Sequence, residues 1–393
     1  MNSKVADTSE VCPNGHLMGW IRLSAPRAKA RNIFYNYSHS DLHMTSEEIR
    51  HAFLEFFREH GHAVVPSSSL LPDDPSVLLT SAGMQQFKKY YVGEADPIKD
   101  FGSKNTATVQ KSFRTSDIDE VGDESHLTFF EMLGNFSFGG YQKREAITYA
   151  FEFITKVMNL PISFVTVFEG SDTVPKDEES RSIWNELGVT DVREQGMEDV
   201  FWGPTGTSGP CGPTTEIYCR NASGKDIEIW NIVFNQFLCN GSREQLLKGD
   251  ATLSELPLFG IDTGMGFERL VMTSQQTATI FETDLFLPLA RHLPQGLDER
   301  TQRIILDHGR GICFLISDGV RPSNKERGYV LRRLMRRMIV LLQHAFQEGW
   351  DIAPLFSEVI AVYQPTYAEL SLETISSVWN EERLKFEKTL RHG

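Results

Sequence analysis

The sequence predicts an α+β fold in which an antiparallel sheet flanked by helices is followed by an all-helical region. Strand-like segments recur up to about Leu293, whereas apolar residues recur at helical spacing from about Glu299 onward. The second part is also the more basic one. We therefore expect a mixed domain at residues 44–293 and a helical domain at residues 294–393.

The first predicted helix follows Thr45. Thr45 and Glu48 have the spacing of a capping box, and Gly61 is a typical stop after an apolar helical face. We interpret residues 1–43 as a disordered extension or as sequence ahead of a true start at Met44, with a transit peptide as an alternative. They contain no continuous apolar segment of the kind found in a secretory signal.

The other elements of the first domain follow from alternation and length. The predicted strands are Val77–Thr80, Ala107–Arg114, Leu127–Phe138, Phe164–Phe168 and Ile227–Leu238. The predicted helices are Arg144–Met158 and Lys176–Leu187.

An arginine beside an aromatic residue precedes an acidic loop and then an aromatic strand between Phe113 and Phe138. Phosphate oxygens that gain charge during a displacement call for a planar, permanently charged guanidinium, and a nucleobase calls for an aromatic face. The pattern resembles motif 2 of the class II aminoacyl-tRNA synthetases, and this resemblance implies Arg114 and Phe130 as the candidates, with His126 between them. The alternative is that the phenylalanines are core residues of a hairpin, because aromatic strands are common.

A second pattern places Gly264 and Gly266 between Asp262 and Arg269, at the entry to an apolar run. Glycines let the backbone approach a ligand where a Cβ would clash. A bare Gly-x-Gly is a weak signal, and the third glycine of the dinucleotide fingerprint is absent. Arg269 and the upstream motif support the interpretation of this pattern as part of a ligand-binding site.

A third pattern is the alternation of the predicted strand at Ile227–Leu238. One face would carry Ile227, Ile229, Asn231, Val233, Asn235 and Phe237, and the other Glu228, Trp230, Ile232, Phe234 and Leu238. Two asparagines on one face suit a polar site better than a core. An edge strand facing water is the alternative.

The segment Trp202–Pro213 is so rich in glycine and proline that we expect no regular element there. It is not a P-loop, because no lysine follows a glycine at the required place. A surface loop with a buried tryptophan is an equally natural interpretation from these residues alone.

Composition narrows the class of protein without choosing a function. The chain has 393 residues, of which 40% are hydrophobic, enough for real cores. Its five cysteines show no CxxC or His–Cys spacing, so we expect no zinc site and no disulfide. No run of about 18 apolar residues occurs, which predicts no membrane span. We expect a reducing, cytoplasmic setting.

The net charge of −14 hides a basic segment near the C-terminus, with ten basic residues against three acidic ones between residues 300 and 343. On a helical wheel from Val330 to Leu342, apolar residues fill one half. The other half carries Arg332, Arg333, Arg336 and Arg337. Because no acidic residue is interleaved, these arginines would repel one another, and we favour phosphate contact over a solvated basic face.

Six segments in this order resemble the alanyl-tRNA synthetases, from about Met44 to the C-terminus. They are VPSSSLLPDDPSVLLTSAGM (Val65–Met84), TFFEMLGNFSFG (Thr128–Gly139), SGPCGPTTEI (Ser208–Ile217), EIWNIVF (Glu228–Phe234), DTGMGFER (Asp262–Arg269) and DGVRPSNKERGYVLRRLMRR (Asp318–Arg337). The resemblance implies a class II synthetase sheet followed by a helical tRNA-recognition domain. The segments around Arg114 and Arg269 would be its motifs 2 and 3.

The resemblance also implies a function and its residues. Alanine would be activated with ATP and Mg²⁺ to alanyl-adenylate and passed to the 3′ end of tRNA(Ala). The implied ATP site comprises Arg114, His126, Phe130, Gly264, Gly266 and Arg269, with Arg114 and Arg269 as the catalytic pair. The implied alanine pocket comprises Met84, Trp202, Asn231, Val233 and Asp262. The implied tRNA contacts are Asn324, Arg332, Arg333, Arg336 and Arg337.

The length of the chain leaves several hypotheses open. We expect the tRNA-recognition domain to be truncated and the editing and C-terminal domains of the family to be absent. The chain would then be a fragment or a split subunit, with a separate chain supplying the missing C-terminal half. Two alternatives are a paralogue that activates a small amino acid for another acceptor and a non-catalytic tRNA-binding module.

Overall fold

The computed structural model describes residues 43–345 and 350–392. Its strands are β1 (Ala63–Val64), β2 (Asn105–Phe113), β3 (Phe129–Phe138), β4 (Ile162–Phe168), β5 (Val192–Gln195), β6 (Phe201–Trp202), β7 (Gly209–Arg220), β8 (Asp226–Cys239) and β9 (Leu253–Gly266). Across these described residues the strand order is β1-β2-β3-β9-β8-β7-β4-β5, and β6 pairs with β7 off this path. The expectation for residues 1–43 concerns residues outside the described ones, apart from His43.

The helices lie on this sheet and after it. They are α1 (Ser46–Glu59), α2 (Lys88–Tyr91), α3 (Pro97–Phe101), α4 (Lys143–Glu152), α5 (Glu178–Glu186), α6 (Arg243–Lys248), α7 (Phe267–Ser274), α8 (Leu287–Ala290), α9 (Glu299–Ser317), α10 (Glu326–Ala345), α11 (Ala353–Tyr363) and α12 (Leu372–His392). The α+β prediction is confirmed, and so is the helical pattern after Glu299.

The centre of the sheet is antiparallel, as predicted, but its two edge pairs are parallel. The parallel pairs are β1–β2 and β4–β5. A parallel pair needs a crossover connection, and α5 provides one between β4 and β5. The sheet is therefore mixed, with the predicted antiparallel strands at the centre, where the motifs lie.

Local signals placed most of the predicted elements correctly. The capping box between Thr45 and Glu48 is present at the start of α1. The predicted helix Arg144–Met158 is α4, which continues as a π-helical turn at Phe153–Val157. The predicted helix Lys176–Leu187 is α5. Four predicted strands correspond to β2, β3, β4 and β8.

The predicted strand at Val77–Thr80 is wrong. Asp74 begins a turn there, because its side chain accepts a hydrogen bond from Ser76 N at 2.9 Å and its carbonyl accepts one from Val77 N at 3.2 Å. Thr80 alone reaches the sheet edge, where its carbonyl accepts from Phe113 N at 2.8 Å. The apolar run is a loop packed beside β2.

The expectation of no regular element at Trp202–Pro213 is also wrong, because Trp202 belongs to β6 and residues from Gly209 onward belong to β7. Glycine is what permits the strand here. A Cβ on Gly212 would lie 1.8 Å from the carbonyl oxygen of Phe234 on β8. Strand pairing at this distance needs a residue without a side chain.

The hydrophobic core runs without a break from the sheet into the later helices. Phe129 of β3 stacks on Phe314 of α9 with ring centroids 3.9 Å apart. Phe314 in turn meets Tyr363 and Tyr367 edge-on at 5.3 and 5.2 Å. Helix α9 is therefore packed directly behind the strand that carries Phe130. Among the described residues, no helix is long and apolar enough to cross a membrane.

Candidate active site

A cavity of about 270 Å³ opens where β2, β3, β8 and β9 meet the start of α7. Its lining brings together most of the residues predicted from sequence: Arg114, His126, Phe130, Trp202, Asn231, Val233, Asp262, Gly264, Gly266 and Arg269. These residues are up to 155 positions apart in the chain, so the sheet brings them together. We call this space the cavity.

Arg114 stands just beyond the end of β2. Its backbone N donates to the carbonyl of Thr128 at 2.9 Å, which extends the β2–β3 ladder by one pair. Its guanidinium carbon lies 5.0 Å from the ring centroid of Phe130. The guanidinium donates no hydrogen bond to a described residue, so its donors stay available to a ligand.

The electrostatics of Arg114 favour an incoming anion. Burial, first, and the nearby Arg269 lower the pKa of Arg114, whereas Asp117 and Glu228 raise it. Two guanidiniums that face one cavity repel each other in the absence of ligand. Phosphate oxygens between them would relieve that repulsion and form charge-assisted hydrogen bonds.

Arg269 follows the two glycines at the start of α7. Its Nη1 donates to the backbone carbonyl of Glu228 at 3.2 Å and lies 3.3 Å from the Glu228 carboxylate. A Cβ on Gly264 would lie 2.9 Å from Met132 Sδ, so this glycine serves the close approach of β3 to β9 as well as lining the cavity.

Glu228 lies in the cavity although alternation placed it on the opposite face from Asn231. The register between β7 and β8 shifts here, because Ile217 pairs with Trp230 while Tyr218 pairs with Glu228. Ile229 is left over as a bulge, which returns Glu228 to the face of Asn231. The predicted face is thus wrong for Glu228, and no local pattern in the sequence marks the bulge.

Asp262 is a buried carboxyl at the inner wall of the cavity, only 4% exposed. Burial raises its pKa from 3.8 to about 8. No described residue donates a hydrogen bond to it. A buried carboxylate without a partner is costly, so this group is suited to a cationic ligand that would restore its ordinary ionisation.

Glu216 is a cavity residue that the sequence analysis did not single out. It accepts hydrogen bonds from Asn231 Nδ2 at 3.2 Å, Tyr218 OH at 3.0 Å and Thr166 Oγ1 at 3.2 Å. Burial, and then the charge of Glu228, raise the pKa of Glu216 to about 7. Glu216 lies on β7 directly opposite Asn231 of β8. This position could have identified it, but only if the register between the two strands had been known.

The loop between β2 and β3 brings His126 and Asp117 to the cavity rim. Asp123 fixes the loop, since it accepts from the backbone N of His126 at 2.8 Å and of Ser125 at 3.0 Å. The His126 Nδ1 lies 2.5 Å from the Asp123 carboxylate. These hydrogen bonds keep the pKa of Asp123 below its usual value, although burial opposes them.

Two residues expected at the site are not among those lining the cavity. Met84 is 1% exposed and packs in an aromatic cluster with Phe136 that Trp202 also contacts. Asn235 is fully buried opposite Gly260, and its amide has no hydrogen-bond partner among the described residues. The polar face of β8 therefore reaches the cavity at Asn231 but not at Asn235.

The four arginines of α10 have partners that the local sequence does not show. Arg336 and Arg332 form ion pairs with Glu382 of α12, with N–O distances of 2.8 and 3.1 Å. Arg333 bonds Asp119 at 2.6 Å, and Arg337 Nη1 donates to the carbonyl of Ile118 at 2.7 Å. The argument from mutual repulsion was therefore wrong, because acidic and carbonyl oxygens come from distant segments.

The chain matches the model of the family described as tRNA synthetases class II (A) over residues 48–393. Alanine–tRNA ligase from Rubrobacter xylanophilus is 46% identical over 330 residues, covering 75% of this chain and 36% of that protein. Alanine–tRNA ligase from Dehalococcoides mccartyi is 42% identical over 384 residues, covering 89% of this chain and 42% of that protein. The chain thus spans about two fifths of the length of these curated relatives.

Among solved structures, apo histidyl-tRNA synthetase of S. aureus aligns with a TM-score of 0.39 and 12% identity, covering 58% of this chain and 65% of that chain.

Proposed function

The chain belongs to the family of class II (A) tRNA synthetases, and from that membership we propose that it activates alanine with ATP and transfers the alanyl group to the 3′ end of tRNA(Ala). One observation carries the proposal. Among the described residues, the cavity holds a guanidinium without a hydrogen-bond partner, Arg114, and a buried carboxyl without one, Asp262. The cavity could therefore bind both an anion and a cation, as the phosphates of ATP and the ammonium group of alanine require in the first step.

In the first step a carboxylate oxygen of alanine attacks the α-phosphorus of ATP, and the bond to the β-phosphate oxygen breaks. Pyrophosphate leaves with the electron pair of that bond. Arg114 would stabilise the charge that develops on the α-phosphate oxygens, and no nucleophile of the protein takes part. Phe130 and Arg269 would hold the adenine between a ring and a guanidinium, while His126, Gly264 and Gly266 complete the wall.

Mg²⁺ would add charge neutralisation at the phosphates when it is bound. The described residues contain no group of three or more side chains that could hold a metal ion by themselves. Mg²⁺ at nucleotide sites is commonly shared between one or two carboxylates and the phosphates, and the cavity offers Glu216 and Glu228. The donors present fit such a shared site.

Alanine recognition would depend on Asp262 and its neighbours. The carboxylate of Asp262 would pair with the ammonium group of alanine, while Asn231, Val233 and Trp202 enclose the methyl group. Met84 would support this wall through its shared cluster with Trp202. A wall of this kind distinguishes glycine or serine from alanine only weakly, because one methyl or hydroxyl group changes binding little.

Transfer would follow when the terminal ribose hydroxyl of tRNA attacks the carbonyl carbon of the adenylate and releases AMP. We propose that residues 44–293 perform activation and residues 294–393 recognise tRNA. Asn324 would touch the acceptor stem, and the arginines of α10 would meet phosphates with donors other than those in their present bonds. A cytoplasmic setting belongs to the same proposal.

The test is alanine-dependent exchange of labelled pyrophosphate into ATP, with glycine, serine and no amino acid as comparisons. Exchange that prefers alanine supports the adenylation site. Exchange with a different small amino acid would favour a paralogue with another acceptor. A folded protein that binds tRNA but gives no exchange with any amino acid would favour the non-catalytic module.

A further inference from the structure

A buried carboxylate on α9 holds the strand end that carries Arg114. Asp307 accepts hydrogen bonds from the backbone N of Thr128 at 2.8 Å and from its hydroxyl at 2.7 Å. Thr128 is the residue whose carbonyl accepts from the backbone N of Arg114. Asp307 and Thr128 are both fully buried. Asp307 therefore fixes the last residue pair of the β2–β3 ladder.

His308 continues this chain of hydrogen bonds towards α10. Its Nδ1 lies 2.8 Å from Asp307 Oδ2, and its Nε2 lies 3.3 Å from Nη1 of Arg337. A guanidinium has donors only, so Nε2 must accept, and the proton of the neutral ring must be on Nδ1. That proton is then donated to Asp307. Arg337 thus sets the tautomer that satisfies the carboxylate.

Arg337 also holds the loop that leads to the cavity. The same Nη1 donates to the carbonyl of Ile118 at 2.7 Å. Ile118 is next to Asp117, which lines the cavity, and the loop goes on to His126. The guanidinium of Arg337 therefore contacts both the loop before β3, through Ile118, and the Asp307–Thr128 contact, through His308.

Apolar packing alone does not account for this arrangement. The stacking of Phe129 on Phe314 already holds β3 against α9, but apolar burial is not directional. A buried carboxylate is costly unless its acceptors are satisfied, and here three donors satisfy it in one geometry. Such a network fixes orientation, which is what Arg114 needs in order to meet a phosphate.

We propose that Asp307, His308 and Arg337 are positioning residues for Arg114 in the adenylation step. The inference rests on the proposed function for its kinetic consequence, but its geometric consequence is independent of activity. Helix α10 would then serve the ATP site through Arg337, in addition to any contact that it makes with RNA.

The test is Arg337→Gln in the full chain, compared with Arg337→Lys and Arg321→Gln. Arg321 is the matched control, because its Nη1 also donates to backbone carbonyls, of Ile316 at 3.0 Å and Val320 at 2.9 Å, but not to the loop. Pyrophosphate exchange without tRNA gives kcat and KM for ATP. Hydrogen exchange of residues 115–128 reports the loop directly.

We expect Arg337→Gln to lower kcat/KM for ATP about 10-fold and to speed hydrogen exchange in residues 115–128, at nearly unchanged Tm. Arg337→Lys should keep kcat/KM for ATP and the hydrogen-exchange rate closer to those of the unaltered protein, since an ammonium can still donate to Ile118 and His308. Arg321→Gln should leave both unchanged. Asp307→Asn should lower kcat/KM for ATP and speed hydrogen exchange more than Arg337→Gln does, because an amide in place of the carboxylate lacks one of the two acceptor oxygens.

The proposal would be overturned in favour of a general role in stability if Arg337→Gln and Arg321→Gln lowered kcat/KM for ATP equally, or if the decrease in kcat/KM followed a decrease in Tm. Unchanged hydrogen exchange in residues 115–128 of Arg337→Gln would also overturn it. If the unaltered protein gives no pyrophosphate exchange, the proposed function fails, and the hydrogen-exchange comparison still decides whether Arg337 holds the loop.

Discussion

The arginines of the cavity and the arginines of α10 differ in what surrounds them. Arg114 has the ring of Phe130 beside it and no hydrogen-bond acceptor among the described residues. On α10, Arg336 bonds Glu382 and Arg333 bonds Asp119. The sequence presented the second group as a free basic face and contained no sign that Arg114 would lack a partner.

The difference shows that local charge spacing does not establish which cations are free. Arg333 and Asp119 are 214 residues apart in the chain, and Arg336 and Glu382 are 46 apart. A helical wheel counts only neighbours on one helix. A guanidinium that stays without an acceptor after folding is the stronger indication of an anion site, and the following experiments test that comparison.

The largest effect is expected at Arg114. Arg114→Ala should lower the rate of alanine-dependent pyrophosphate exchange by about 100- to 1,000-fold, because it removes the charge that would stabilise the reacting phosphate. Arg144→Ala is the control, since Arg144 forms an exposed pair with Glu186 and neither residue lines the cavity. Near-normal exchange in Arg114→Ala would show that an arginine without a partner is no guide to the anion site.

The next effect is expected at Asp262. Asp262→Asn should raise KM for alanine about 10- to 100-fold, because a charge-assisted hydrogen bond to the ammonium is lost. In the unaltered protein, KM for alanine should fall as pH rises towards 8, since the pKa of Asp262 is about 8 and the ionised form binds the cation. Exchange measured across that pH range checks both statements, and an unaltered KM in the variant would contradict them.

The same variant should be more stable than the parent. The folded protein keeps the proton of Asp262 to about pH 8, whereas the unfolded chain loses it near 3.8. The stability of the parent therefore falls as pH rises between these values, and Asp262→Asn removes that loss. Denaturant unfolding without alanine should show a gain of the order of a few kcal/mol at neutral pH and a smaller one at pH 5. A variant less stable than the parent at both pH values would refute this.

A smaller effect, on stability rather than activity, is expected at Glu382. Glu382 is 2% exposed and faces Arg332 and Arg336. Glu382→Gln leaves two guanidiniums without their charge partner and should lower the free energy of unfolding by about 1–3 kcal/mol. Exchange of pyrophosphate should be spared. A measured loss near zero would mean that these arginines are as free as the sequence suggested.

The smallest effect is expected at Asn324. Its side-chain oxygen accepts a hydrogen bond from Arg332 on the exposed side of α10. Asn324→Ala should leave pyrophosphate exchange unchanged and reduce charging of tRNA(Ala) several-fold, as loss of one base contact does. Equal loss in both assays would contradict the division between activation and tRNA recognition.

Most elements that the sequence predicted correctly were marked by signals confined to a few residues. The capping box of Thr45 and Glu48 and the alternation of β8 are examples. The failures arose where distant segments intervene. The apolar run before Thr80 became a loop because Asp74 starts a turn, and Gly212 became part of a strand because β8 lies against it.

The candidate site likewise contains residues that the sequence predicted and residues whose positions depend on distant segments. The resemblance of short segments to the family was enough to indicate Arg114, Phe130, Asp262 and Arg269, and the cavity contains all four. Glu228 was placed on the wrong face because a bulge reverses alternation and leaves no mark in the sequence. Glu216 was missed because its place depends on the register between two strands.

The sequence by itself determined the family, the order of the motifs and the chemical groups available, because residue identity and local propensity are written into short segments. The tertiary structure alone decided which of those groups are free. Burial raises the pKa of Asp262, and folding brings Asp119 and Glu382 to the arginines of α10, whereas no acceptor from the described part of the chain reaches Arg114. Solvation and pairing depend on neighbours in space, and a linear pattern does not contain them.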